Sequence, residues 1–478
     1  MFRTFPVIRW SRVVTVAALL GGACSKSSRT PAQPVDAAVT VIAPPQGGTE
    51  TSTDVNVNPP GGEPALLMGA PLIVAPTSHG FGINVALRAG TPAELRAWVH
   101  DDLHPEGRDL GVPTSPAADL AWWSVDGLTA GHRYQYDIRR AGETAPLYVG
   151  SAITTRPAGT PFTFNIITDS HIQPREPVPP EASTTSDGYM EATLHSVVQQ
   201  MATGLTPDFL VNMGDTLDFH MFGFNDPPPS SKWTRLGYLN YRRLFDAFLG
   251  NVAHFPVVGN WDGENGCRTE EEINRSRSQR MLYVPGPQPT TYPEGGSPTE
   301  DYYAFTWGDA LFVMLNVMSY TPSCHLLTAE PDDWTLGPAQ LAWLEATLAH
   351  STSKWRFTFI HHTVGGNAGD AANTSYGRGG GRAAHVGEQA TIHQMLLRYG
   401  VQIFFYAHDH VFMDMVVDGV HYTLPGSAGA PWKFTTFETG YPDALPDSGY
   451  ARVGVSATTA QVDFVGLTGN VLKTFTLQ

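Results

Sequence analysis

Two hydrophobic patterns divide the chain. From about residue 66 to 156, short segments such as 83–88, 95–99 and 134–139 alternate apolar and polar residues and are broken by Gly and Pro. A period of two with frequent turn signals predicts an antiparallel β-sandwich over residues 65–157. From residue 160 the pattern changes. Apolar runs at 162–168, 209–212, 255–258, 310–317, 357–360 and 401–406 read as buried strands. Between them, 189–202, 238–249, 338–349 and 389–399 read as helices. Pro338 suits a first helical turn and Gly400 a helix end. Alternating strands and helices predict an α/β domain over 160–478. Residues 450–477 return to a β pattern. Residues 24–64 are rich in Ser, Thr, Pro, Ala, Gly and Gln with few large apolar residues, which predicts a disordered linker.

The first 23 residues carry Arg3, Arg9 and Arg12 and no acid, then an apolar run over 13–20 and Gly21-Gly22-Ala23-Cys24. This order predicts a signal peptide, and the run is too short to span a bilayer. The small residues before Cys24 resemble a bacterial lipobox, although Leu20 lies four residues before the cysteine in place of three. Cys24 is therefore a candidate lipidation site; ordinary cleavage near Ala23 is the alternative. The expected location is periplasmic or cell-surface, with the membrane reached through a lipid anchor. Export would place Cys267 and Cys324 in an oxidising compartment as an even pair. A disulfide between them is predicted, contributing about 4 kcal/mol by loop closure; two separate buried thiols are the alternative.

Composition narrows the function. Hydrophobic residues make up 42% of the 478 residues, enough for sizeable cores. Asp plus Glu number 45 against 29 Lys plus Arg, a net charge of −16, with no long basic block. Nucleic-acid binding is therefore not expected. Any anionic substrate must be drawn in by a local positive feature. No G-x-S-x-G elbow and no Walker A motif occurs, which removes two rival enzyme classes. Oligomeric state is not legible in the sequence.

Candidate chemistry gathers at predicted strand ends. The strand at 162–168 runs into Asp169-Ser-His171. The next ends in Gly214-Asp215-Thr-Leu-Asp218, the third in Gly259-Asn260-Trp261-Asp262. The last two end in His361-His362 and Ala407-His408-Asp409-His410. Ligand sites of α/β sheets form at the C-terminal ends of strands, so five strands deliver Asp, Asn and His to one rim. Carboxylate, imidazole and amide oxygen suit Zn, Mn or Fe.

In this order the blocks resemble the calcineurin-like metallophosphoesterase superfamily, with its D-x-H, G-D-x-x-D, G-N-H-[DE], H and G-H-x-H signatures. The preceding sandwich, the helix beginning Gly337-Pro-Ala-Gln340 and the C-terminal strands look most like the purple acid phosphatase branch. Residues 126–136 resemble a fibronectin type III strand. The implied fold is an αββα sandwich preceded by an all-β, fibronectin type III-like domain. The resemblance assigns Asp169, His171 and His410 to one metal, Asp215 to the bridge, and Asn260, His361 and His408 to a second. Two divalent or trivalent ions (Zn, Mn or Fe) would then activate a water for attack on a phosphate ester of a phosphorylated small molecule.

Three departures matter. Trp261 stands where the family has a histidine thought to assist the transition state, and indole is no acid at ordinary pH. Asp218 stands where the purple enzymes have tyrosine, so no tyrosine–iron colour is expected. Asp218 and Asp262 are read as supports behind the ligands. Ala407 replaces a glycine. The missing acid leaves His220 and His362 as catalytic candidates beside Asp215 and Asn260, although His220 also reads as an ordinary loop residue. Neighbours on a strand point to opposite faces, so one of His361 and His362 is expected to be a ligand. Arg378 and Arg382, in a glycine-rich loop, are candidate phosphate contacts or solvated charges. His79, His100, His104 and His132 are expected to be structural or at the surface. Phosphomonoester hydrolysis is the favoured activity. Phosphodiester or nucleotide hydrolysis is the alternative, and a non-catalytic phosphate-binding lipoprotein is the alternative of another class.

Overall fold

Alternation along the strands sets the layers. In Phe162–Ile167, the side chains of Phe162, Phe164 and Ile166 enter one core and Ile167 enters another on the opposite face. Such strands are buried on both sides, as a sheet covered by helices requires. The computed structural model describes residues 66–88, 90–101, 104–173, 191–218, 231–265, 268–320, 335–362, 387–430, 433, 441 and 443–478. The predicted signal, linker, Cys24, and the Cys267–Cys324 pair lie outside these residues.

The N-terminal strands are β1 (Leu72–Val74), β2 (Phe81–Ala86), β3 (Leu95–His100), β4 (Arg108–Asp109), β5 (Thr114–Ala117), β6 (Leu120–Val125), β7 (Arg133–Arg140) and β8 (Pro146–Ile153). Then follow β9 (Phe162–Ile167), α1 (Glu191–Thr203), β10 (Phe209–Asn212), α2 (Ser231–Leu244), α3 (Asp246–Leu249), β11 (Ala253–Pro256) and α4 (Glu270–Tyr283). The second half holds β12 (Tyr303–Trp307), β13 (Ala310–Leu315), α5 (Gly337–His350), β14 (Trp355–Ile360), α6 (Gly387–Arg398), β15 (Ile403–Phe405), β16 (Phe412–Val417), β17 (Val420–Pro425), β18 (Gly449–Val455), β19 (Ala460–Gly466) and β20 (Val471–Leu477).

Two mixed sheets face each other. One runs β20-β19-β18-β9-β10-β11-β1-β2-β6-β5, the other β12-β13-β14-β15-β17-β16. Aromatic side chains fill the space between them. Phe164 stacks on Phe209 at 5.0 Å and meets Phe312 edge-on at 5.1 Å, while Phe255 stacks on Phe305 at 3.9 Å. Leu194, Val197, Val198 and Met201 of α1 cover one outer face. Leu344 and Leu348 of α5, with Ile392 and Leu396 of α6, cover the other. The architecture is the expected αββα sandwich. In front of it stands a small antiparallel sheet, β4-β3-β7-β8.

The differences from the sequence-based expectation are local. The helix expected over 238–249 is two helices, beginning at Ser231 and interrupted at Phe245. α4, β12 and the β16–β17 hairpin were not anticipated. A further difference lies at the first sheet: β1 pairs in parallel with β11 through Ile73 and Ala253, so β1, β2, β6 and β5 prolong the sheet that holds β9, β10 and β11.

Candidate metal centre

The central parallel strands end together. β9, β10 and β11 are in register from Phe164, Phe209 and Ala253, and β14 and β15 are likewise parallel neighbours. The turns beyond stay bonded to one another. Asp169 N–H donates to Gly214 O at 3.0 Å, His171 N–H to Asp215 O at 2.9 Å, and Ala407 N–H to His361 O at 2.9 Å. Asp169, His171, Asp215, His408 and His410 all have positive φ, between 47° and 76°. Side chains rarely adopt this region, and such strain concentrates at functional sites.

These turns bring the predicted ligands into two buried groups. Asp169, His171, Asp215 and His410 form one, and Asp215, His361 and His408 the other, with the ligand atoms of each within 4.8 Å of one another. Asp215 belongs to both. Its Oδ2 lies 3.7 Å from His171 Nε2 and 3.1 Å from His361 Nε2. His171 Nε2 and His410 Nε2 face each other at 3.2 Å, and His410 Nε2 is 3.2 Å from Asp169 Oδ1. Asn260 Oδ1 is 3.1 Å from His361 Nε2.

The donor set fits a cation pair. His361 Nδ1 donates to Met213 O at 2.8 Å, which directs Nε2 toward the oxygens of Asn260 and Asp215, where its deprotonated form would offer a lone pair to a cation. Asp169 Oδ1 and Asp215 Oδ2, both buried, accept no hydrogen bond among the described residues. Atoms of one polarity converge here, and a positive ion between them resolves the repulsion. The other carboxylate oxygens are already used: Trp261 N–H donates to Asp215 Oδ1 at 2.8 Å, and Thr168 Oγ1 to Asp169 Oδ2 at 2.9 Å.

Without an ion the field of the site is uneven. Burial pushes the Asp169 carboxyl up, but His410, His171 and His361 outweigh it and hold the group well below the usual range. Burial pushes His361 down, but Asp215 and Asp169 drive it up to about 9. Burial prevails at His410, lowered to about 4. Burial and the charge of Asp215 raise Asp262 to about 7.

Supporting residues lie behind the ligands. Asp262 accepts Leu217 N–H at 2.9 Å and Gly259 N–H at 2.8 Å, tying the second and third turns together. Asp218 is fully buried, and its charge acts on His171. Gly214 and Gly259 let the two turns touch. A Cβ on Gly259 would stand 2.1 Å from Asp215 N, and one on Gly214 2.5 Å from Gly259 N. Trp261 is half-buried and sets its indole edge-on to His171 at 4.4 Å.

Of the two adjacent histidines, His361 alone enters a ligand group. β14 ends at Ile360, so the two-faced alternation does not reach His361 and His362. Both are buried beside His408, with ring separations of 5.7 and 4.8 Å. His220, Arg378 and Arg382 lie outside the described residues. Of the sandwich histidines, His100 is half-buried and held 2.6 Å from Asp137 Oδ2, away from the centre. A buried pair the sequence reading missed steadies the third turn: Arg280 Nε of α4 donates to Glu264 Oε1 at 2.6 Å. The Thr-x-x-Glu cap at Thr269–Glu272 was the available signal.

Among solved structures, the chain is similar to one described as PhoD, with a TM-score of 0.63 and 14% identity, covering 86% of this chain and 90% of that one. It is also similar to the purple acid phosphatase PPD1 from yellow lupin (Lupinus luteus) seeds, with a TM-score of 0.60 and 14% identity, covering 85% of this chain and 74% of that one. At such identity the likeness concerns the fold. No curated protein matches the sequence at a significant level. The calcineurin-like phosphoesterase family matches residues 162–412, which include every one of the ligand turns. With more than half of its length matched and the ligand turns converging on one buried centre, the chain belongs to the calcineurin-like phosphoesterase family.

Proposed function

We propose that this chain is an exported phosphomonoesterase, held at a membrane by lipid on Cys24 and acting on phosphorylated small molecules. The observation that carries the hydrolase reading is the sharing of Asp215 between two buried ligand groups. When bound, a pair of metal ions would supply Lewis acidity toward phosphoryl oxygens and would lower the pKa of a bound water. The chain supplies position and polarity. Trp261 N–H and the Gly259 approach fix the Asp215 carboxylate so that Oδ2 faces the shared space. Met213 O fixes the His361 tautomer with Nε2 toward the same space. Asp169, His171 and His410 hold the other side, and Asn260 and His408 complete the set with His361.

Leaving-group protonation is the weaker function. Trp261 offers one indole N–H and no titratable proton. His362, buried near His408, and His220 are the candidates for that role. The arrangement therefore favours esters with good leaving groups, such as aryl phosphates or anhydrides, over alkyl phosphates. Phosphodiester or nucleotide hydrolysis uses the same ligands and is the alternative. Trp261 favours one second reading, a lipoprotein that binds phosphate without turnover.

The test is elemental analysis of the purified chain with turnover of aryl mono- and diesters under added Mn or Zn. About two metals per chain with faster monoester than diester turnover is the expected result. Two metals without turnover on any ester would favour the binding protein. No metal after reconstitution would refute the centre.

A further inference from the structure

Lys433 is a half-buried ammonium bonded to a loop that packs on the centre. Its Nζ donates to Ala430 O at 2.8 Å, and among the described residues it forms no ion pair. An ammonium has three protons to donate, so two remain. The loop it leans on is seated directly on the first ligand turn. Ser427 Oγ, Gly429 N–H and Ala430 N–H all point at Asp169 O, at 3.3, 3.2 and 3.0 Å. A Cβ on Gly429 would stand 2.3 Å from Ser170 O, so backbone touches backbone there. The Lys433 charge consequently acts on both Asp169 and His410. Burial lowers its amine to about 8, against the pull of Asp169 and Asp447.

A cation taken from water without a carboxylate partner is costly unless an anion completes it. This acidic chain also needs a local cation for an anionic substrate, and position 261 holds an indole with no titratable proton. We propose that Lys433 binds a peripheral phosphoryl oxygen of the substrate, and of product phosphate, from the Asp169–His410 side of the centre. There it supplies charge stabilisation that Trp261 cannot. Lysine serves phosphate as a point charge on a flexible stem, which suits an oxygen whose position shifts during displacement. The proposal rests on the phosphoesterase reading.

The test uses full-length chain loaded with Mn or Zn, as wild type, Lys433→Met and Lys433→Arg. Inorganic phosphate is titrated in by calorimetry, bound metal is counted in the same samples, and aryl phosphate turnover is followed. The Met variant is expected to keep its metals and to bind phosphate roughly 10- to 100-fold more weakly, as for a lost charged hydrogen bond. Its kcat/KM should fall by a similar factor, and the Arg variant should retain most of the phosphate affinity. Unchanged phosphate affinity in the Met variant would overturn the proposal. Loss of metal in both variants would overturn it too, making Lys433 a support for the loop. A wild type that binds phosphate through Lys433 yet hydrolyses no ester would uphold Lys433 and sink the esterase reading. Normal turnover with phosphate binding indifferent to residue 433 would do the reverse.

Discussion

Asp169, His171, Asp215, His408 and His410 are five of the eight non-glycine residues with positive φ among those described. Each such residue costs of order 1 kcal/mol or more, and the surrounding ladder of turn hydrogen bonds holds it there. The identities of these residues were readable as motifs at strand ends. Their strained backbone was not, because no side-chain pattern marks Asp or His for the left-handed region. Asp215→Asn is a clean probe, since Asn tolerates that φ and keeps an acceptor for Trp261 N–H. It removes the charge shared by the two ligand groups. Metal content and turnover are expected to fall together, turnover by roughly 100-fold or more by comparison with lost outer-shell partners. A variant with two metals and full activity, measured by elemental analysis and assay, would refute the bridge. Trp261→His restores an imidazole beside His171. General acid catalysis is worth roughly 10²–10⁴-fold, so turnover should rise more for alkyl than for aryl phosphates. Equal gains on both would place the acid elsewhere, and His362 would be substituted next.

Elements matter here chiefly through their ends. The long apolar strands were legible because both faces are buried and the runs are rich in Phe, Val and Ile. α4 was not, because Glu-Glu-Glu-Ile-Asn-Arg-Ser-Arg-Ser carries almost no apolar stripe; the helix is held by a capping box and by buried Arg280. β12 was missed because its hairpin partner β13 dominates the hydrophobic signal and Gly308-Asp309 forms the turn between them. The start of α2 is obscured because Ser231, Lys232 and Thr234 dilute Trp233 in its first turn and its buried apolar face begins with Leu236. Arg280 also gives the element a role in the site. Its guanidinium joins α4 to Glu264, two residues beyond Asp262, and to the carbonyls of Thr299 and Glu300 at 2.7 and 3.0 Å. Removing one partner of a buried pair strands the other charge. Arg280→Met is therefore expected to lower stability by about 3–5 kcal/mol. The double variant with Glu264→Gln should lose less than the sum of the two single losses. Urea denaturation of the set measures this, and additive losses would show that the pair is not coupled.

At the scale of the molecule, stability and pH are linked through a buried acid that belongs to neither ligand group. Burial raises the Glu300 carboxyl from 4.5 to about 7, against the pull of Arg280 and the Gly286 N–H. Between these values the folded chain holds a proton that the unfolded chain has released. Stability from this group is therefore full below pH 4.5 and is lost as pH rises toward 7. Glu300→Gln should flatten that part of the profile, read as urea midpoints at pH 5 and 7.5; an unchanged slope would assign it to other groups. The N-terminal strands bear on stability more heavily. β1 covers the edge of β11, and Arg242 of α2, wholly buried, donates to Asn84 Oδ1 and O at 2.5 and 2.6 Å. Tyr136 Oη donates to Gly250 O at 2.8 Å, and Arg133 to Asn251 O and Pro207 O at 2.7 and 2.9 Å. A fragment lacking residues before 158 would leave the β11 edge open and the Arg242 charge without its partner. An open edge invites pairing between chains, and a stranded buried charge destabilises the fold. The fragment is expected to be aggregated, while the full chain unfolds in one calorimetric transition. A monomeric, metal-loaded fragment in size-exclusion chromatography would show that the N-terminal strands are an attachment and not part of the folding unit.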